Sequence, residues 1–65
     1  MDWHQHIERV PGVMLGKSIF RGTRITVEFV LDRLAQGARP EDLVHSHPPL
    51  TAEHVKAAMA YAVSG

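Results

Sequence analysis

Thr26-Val27-Glu28-Phe29-Val30-Leu31-Asp32-Arg33-Leu34-Ala35-Gln36-Gly37 is the stretch that decides the fold. Val27, Val30, Leu31 and Leu34 recur at i, i+3, i+4 and i+7, which places them on one face of a helix. Thr26 offers a side-chain oxygen as N-cap, and Glu28 sets a negative charge in the first turn, where the helix dipole is positive. Gly37 can take the left-handed conformation that ends such a helix.

Downstream, Pro40 stands where a first helical residue would, followed by Glu41, Asp42, Leu43 and Val44, which predicts a short second helix. Pro48-Pro49 closes it, because the residue before a proline is steered out of helical geometry. Arg39 fills its N-cap slot without an acceptor to offer, so a frayed start is expected. Thr51 caps a third helix, with Leu50 and Val55 at the two positions of a hydrophobic staple. Val55, Ala58, Met59 and Ala62 are expected as its apolar stripe; Ala57, Ala58, Ala60 and Ala62 let a neighbouring helix approach closely. Tyr61 is expected at the rim of that contact with its hydroxyl in water.

Upstream, the first 25 residues lack helical periodicity. Ile7 and Val10, the Pro11-Gly12 turn, Val13-Met14-Leu15, Gly16, and Ile19-Phe20 before Gly22 read as short strands. A hairpin of this size is not stable alone, so it must lie on the helices or pair with a second chain. His4 and His6 are expected in a loose terminus. The fold class is therefore mainly α in one domain, residues 1–65: a basic N-terminal arm with short strands over 1–25 and a three-helix, helix-turn-helix-like unit over 26–65.

A chain of 65 residues buries only about 60% of the surface its unfolded form exposes, and such a core rarely supplies more than roughly 3–5 kcal/mol. Without cysteine there is neither a disulfide nor a thiolate zinc site to help, so a homodimer is expected. The cytoplasm is the default location: the start has no basic and apolar leader pattern, and the longest apolar run, Ala57 to Val63, is far too short to cross a bilayer. Net charge is zero, which argues against a globally basic nucleic-acid binder. The charges are nonetheless segregated. Residues 9–24 carry Arg9, Lys17, Arg21 and Arg24 with no acid, whereas residues 25–65 carry five acids against Arg33, Arg39 and Lys56.

The second and third helices, joined through Pro48-Pro49-Leu50, match a helix-turn-helix layout whose second helix enters the major groove. That helix presents Thr51, Glu53, His54 and Lys56 near its start, none of them the Arg or Asn that reads guanine or adenine bidentately. Thr51, His54 and Lys56 are candidate DNA-contacting residues, with Arg39 as a phosphate contact at the start of the second helix; an ordinary solvated face accounts for them equally well. His4-x-His6 and His45-x-His47 lack supporting carboxylates and cysteine, so no metal site is read there. The hydroxyls of Ser18, Thr23, Thr26, Ser46, Thr51, Tyr61 and Ser64 form no recognisable triad with the histidines and acids, and Gly16-Lys17-Ser18 lacks the upstream glycine of a phosphate loop. No enzyme activity and no cofactor are expected.

Taken together, Pro11, Gly16-Lys17, Arg21-Gly22-Thr23-Arg24-Ile25, the aliphatic first helix, Gly37, Pro40-Glu41-Asp42-Leu43, Pro48, Leu50-Thr51 and Ala57-Ala58 with Ala60-Tyr61-Ala62 resemble the bacterial family of domain of unknown function 433, over Ile7 to Ala62. Ser18 stands where that family usually has proline, and Arg39 where it usually has a serine-like cap. The resemblance implies a homeodomain-like three-helix domain with an N-terminal β element, and an antitoxin encoded beside a PIN-like ribonuclease toxin. Antitoxins of this broad type often inhibit through an extension that enters the toxin's acidic active site. Only Ser64-Gly65 follow the third helix, so the segment bearing Arg9, Lys17, Arg21 and Arg24 is the one with suitable charge for toxin binding. The alternative for Thr23 and Arg24 is that they anchor the strand onto the first helix. Operator DNA is the second partner implied. A stand-alone DNA-binding regulator and a plain protein-interaction module are the rival readings.

Overall fold

The structure, a computed structural model, describes residues 2–64; Met1 and Gly65, the two ends of the expected 1–65 domain, lie outside the described residues. It holds three helices, α1 (Val27–Ala35), α2 (Pro40–Ser46) and α3 (Ala52–Ser64), and one antiparallel pair of strands, β1 (Ile7–Arg9) and β2 (Ser18–Phe20). Short 3-10 turns at Trp3–Gln5 and Met14–Gly16 precede each strand.

The helix boundaries follow from their caps. Thr26 Oγ1 accepts the Phe29 N–H at 3.0 Å at the start of α1. At its end, Ala38 N–H donates to the Arg33 carbonyl and Gly37 N–H to the Leu34 carbonyl, with Gly37 at φ +100°, which is the Schellman arrangement that satisfies the last carbonyls. Pro40 opens α2, and Arg39 before it makes no side-chain capping bond. At α3, Thr51 Oγ1 accepts the His54 N–H at 3.2 Å, and Leu50 and Val55 are both buried, as a hydrophobic staple requires.

Strand pairing sets Ile7 opposite Phe20, Glu8 opposite Ile19 and Arg9 opposite Ser18. The Val13 N–H donates to the Val10 carbonyl, closing Pro11-Gly12 as a turn, and Gly12 supplies the positive φ its third position needs. Beyond β2 the chain doubles back: Ile19 bridges to Thr26, and Phe20 N–H donates to the Ile25 carbonyl, so the cap of α1 is fixed to the sheet. Ile19 and Phe20 are both buried although they point to opposite faces. β2 is thus covered on both sides, and the hairpin lies on its own helices.

One core results. Ile7 and Phe20 from the strands meet Val27 and Val30 of α1, Leu43 of α2, Leu50, and Ala57 and Ala58 of α3, with Leu31, Leu34 and Tyr61 packed at its edge. Two expectations are corrected here. The buried face of α3 comprises Val55, Ala57 and Ala58, while Met59 is 43% exposed and Ala62 lies open, because the elements covering α3 approach from the Ala57–Ala58 side. Tyr61 lies half-buried at the edge of the core, and its hydroxyl pairs with Ser18 Oγ at 3.1 Å. Trp3 and His4 are not loose. Trp3 stacks on His4, meets Tyr61 edge-on with ring centres 4.8 Å apart, and donates from Nε1 to Ser64 Oγ at 2.7 Å.

Candidate interaction surfaces

The four cations of the N-terminal segment do not form one patch. Arg21 is tied down: Nη1 donates to Glu8 Oε1 at 2.9 Å, and Nε and Nη2 donate to the His4 carbonyl. Lys17 reaches Glu28 of α1 at 3.4 Å. Arg9 and Arg24 make no ion pair among the described residues, and they sit apart. Arg9 lines an open groove of about 480 Å³ with Lys17, Ser18, Glu28, Leu31, Asp32 and Tyr61. Arg24 borders a second hollow of about 310 Å³ with Met14, Ile25, Phe29 and His47. Of the two residues weighed as anchors, Thr23 serves that role, donating to the Phe20 carbonyl and accepting from the Ile25 N–H. Arg24 is exposed.

Beside that second hollow the backbone does something costly. Met14, Leu15 and Gly16 hold φ of +48°, +58° and +73°, a left-handed turn in which the first two residues are not glycine. Left-handed geometry crowds a side chain's Cβ against the following carbonyl, at roughly 1–2 kcal/mol per residue. Leu15 gains no burial in return, being 93% exposed, and Met14 is 45% exposed. Phe29, also exposed, adds an apolar surface on the same hollow, its ring edge-on to His47. The apolar pair Met14-Leu15 ahead of Gly16 was visible in the sequence, but as a strand pattern; the turn that lifts Leu15 out is a property of φ.

The candidate DNA-contacting residues are largely engaged within the chain. Thr51 and His54 close a reciprocal box at the start of α3: besides the bond that caps the helix, Thr51 N–H donates to His54 Nδ1 at 3.1 Å. The His54 ring lies 5.1 Å from that of Phe20 and 6.3 Å from that of His6. Burial holds its pKa below the usual 6.5, and His6 adds to that, partly offset by a hydrogen bond with the Pro49 backbone. Lys56 pairs with Glu53 one turn earlier, at 3.7 Å. Arg39 is exposed at the start of α2 and joined to none of the other three by a hydrogen bond or ion pair. His54 in the slot where a capping box usually carries Glu or Gln was legible only as a spacing, Thr51-x-x-His54.

Among the described residues no three His, Asp or Glu side chains gather to hold a metal ion, and no helix is long and apolar enough to cross a membrane. Comparison with solved structures finds a crystal structure of a DUF433 member protein from Anabaena variabilis ATCC 29413, 37% identical, with a TM-score of 0.85 over 91% of this chain. The match covers 58% of that longer chain. No curated protein matches. The family model described as protein of unknown function DUF433 matches residues 7–62, from the first residue of β1 to within two residues of the end of α3. This chain belongs to the DUF433 family.

Proposed function

We propose that this chain is a non-catalytic binding protein, the antitoxin of a type II toxin-antitoxin pair, which neutralises a PIN-like ribonuclease by occupying it and, together with it, binds operator DNA. The observation that carries the protein-binding half is the left-handed turn at Met14-Leu15, an energetic cost that leaves Leu15 in solvent and Met14 in the hollow bordered by Arg24, which makes no ion pair among the described residues. Strain that yields no internal contact is a pointer to a partner. An apolar anchor with a neighbouring cation suits a partner surface that is apolar and acidic.

The DNA half takes α2 and α3 as a homeodomain-like helix-turn-helix, used twice by a homodimer across half-sites one helical turn apart. Arg39 and the amides at the start of α2 would meet phosphate; since Thr51, His54 and Lys56 are engaged internally, base readout by α3 would be slight. That same engagement favours a second reading, a protein-interaction module without DNA. Both place the protein in the cytoplasm with its partner.

Co-expression with the product of the adjacent gene is the test. The expected result is a co-purifying complex and loss of the neighbour's toxicity; a neighbour that neither co-purifies nor is neutralised overturns the antitoxin reading. For DNA, binding to the upstream region should fall steeply with salt. Absence of binding at low salt, with and without the partner, leaves the interaction module.

A further inference from the structure

We propose that His54 is an acid-sensitive latch joining the N-terminal segment to the start of α3. Residues 3–6 run along this helix and are pinned at two points. Trp3 contacts Tyr61 and Ser64 near its end, and His6 meets His54 near its beginning. The first pin joins an indole, a phenol ring and a hydroxyl, with His4 stacked on the indole. The second is built around a ring that must stay neutral.

The requirement follows from the capping box. Thr51 N–H donates to His54 Nδ1 at 3.1 Å, while His54 N–H donates to Thr51 Oγ1 at 3.2 Å. A Glu or Gln in that slot remains an acceptor at any pH near neutral. An imidazole accepts only while neutral; as imidazolium both ring nitrogens are donors, and the Thr51 N–H would face another N–H. The added charge would also stand at the positive end of a 13-residue helix.

Each surrounding element contributes. From the N-terminal segment comes His6, itself titratable; its carbonyl accepts the Arg21 N–H, and Arg21 is paired with Glu8. β2 contributes Phe20, which is apolar. A hydrogen bond with the Pro49 backbone favours the protonated ring. Within α3, Glu53 is paired with Lys56, and no carboxylate among the described residues lies within ion-pair distance of the ring. Burial first, and His6 second, hold the His54 pKa below 6.5. With the folded-state pKa depressed, the unfolded chain takes up this proton first, so stability is lost as pH falls through about 6.5 toward the folded-state pKa.

The test is an NMR titration of the histidine rings in the intact chain, together with thermal unfolding at about pH 7.5 and about pH 5 of the wild type, His54→Gln and His6→Gln, with emission from the single tryptophan, Trp3, reporting whether the first pin holds. His54 should titrate below 6.5, and its midpoint should rise in His6→Gln. Each tenfold of proton affinity that folding removes from the ring should lower the folded-to-unfolded ratio about tenfold at the acid end. His54→Gln keeps an acceptor in the box, so it should fold and lose much less stability on acidification. A His54 midpoint at or above 6.5 overturns the latch, as does a parallel acid loss in wild type and His54→Gln. Should His54→Gln fail to fold, the ring midpoints in wild type and His6→Gln decide the matter alone.

Discussion

Bonds that define α1 span three to five residues, from Thr26 to Phe29 at one end and from Arg33 to Ala38 at the other, whereas the N-terminal segment is fixed by bonds from Trp3 to Ser64 and from Ser18 to Tyr61. The first kind is local chemistry that a helix carries with it. The second exists only once the whole chain has closed. Yet the segment held by long-range bonds contributes Ile7 and Phe20 to the same core as the helices, so it is a structural half of the domain, not an appendage laid over a finished bundle.

Removing the hairpin's share of the core should have the largest effect. Phe20 is fully buried, and Phe→Ala at such a site costs about 3–5 kcal/mol. A core this size supplies roughly as much in total. Phe20→Ala is therefore expected to abolish cooperative unfolding altogether, read by far-ultraviolet circular dichroism against temperature. Helices that melt cooperatively without Phe20 would show that residues 26–64 stand alone.

Cap substitutions sharpen the local side. Thr26→Ala removes the cap of α1 at a residue only 9% exposed and tied to Ile19, and should cost about 1–2 kcal/mol. Arg39→Ser supplies an acceptor that α2 lacks and should stabilise by about 0.5–1 kcal/mol. Opposite signs in chemical denaturation are the expected result. For the long-range side, Tyr61→Phe deletes the bond to Ser18 and should cost about 1 kcal/mol; a double-mutant cycle with Ser18→Ala should show coupling, and additivity would mean that the hydroxyl pair holds nothing.

Legibility divides along the same line. Thr26, Gly37, Pro40, the two prolines at 48 and 49, and the Leu50–Val55 staple each act within a few residues, so all three helices could be read, down to the missing cap at Arg39. The hairpin was legible as strands and a turn, but its place was not, because a pattern of apolar residues does not say which surface will cover both faces of β2. Trp3 lies 61 positions from Ser64, and no local signal connects them. The candidate sites fared similarly. Arg9, Lys17, Arg21 and Arg24 were recognised as a run of cations without an acid, while the structure pairs Lys17 and Arg21 with acids and sets Arg9 and Arg24, which make no ion pair among the described residues, in different hollows. His54 showed as a polar residue on a helix start, and its inward turn depends on Phe20 and His6 arriving from elsewhere.

The smallest expected effect tests whether the left-handed turn serves folding or binding. Leu15 holds φ +58° with almost no contact to the rest of the chain, and asparagine tolerates that conformation better than leucine does. Leu15→Asn should therefore raise stability slightly, by about 0.5 kcal/mol, an amount within reach of paired denaturant curves. If the turn were needed by the core, the same change would destabilise instead. Measured beside it, affinity for the co-purified partner separates the roles: a more stable chain that binds more weakly means the strain is retained for the exposed leucine. A more stable chain that binds unchanged would leave Leu15 without a role and move the search for the contact surface to the groove lined by Arg9, Lys17 and Tyr61.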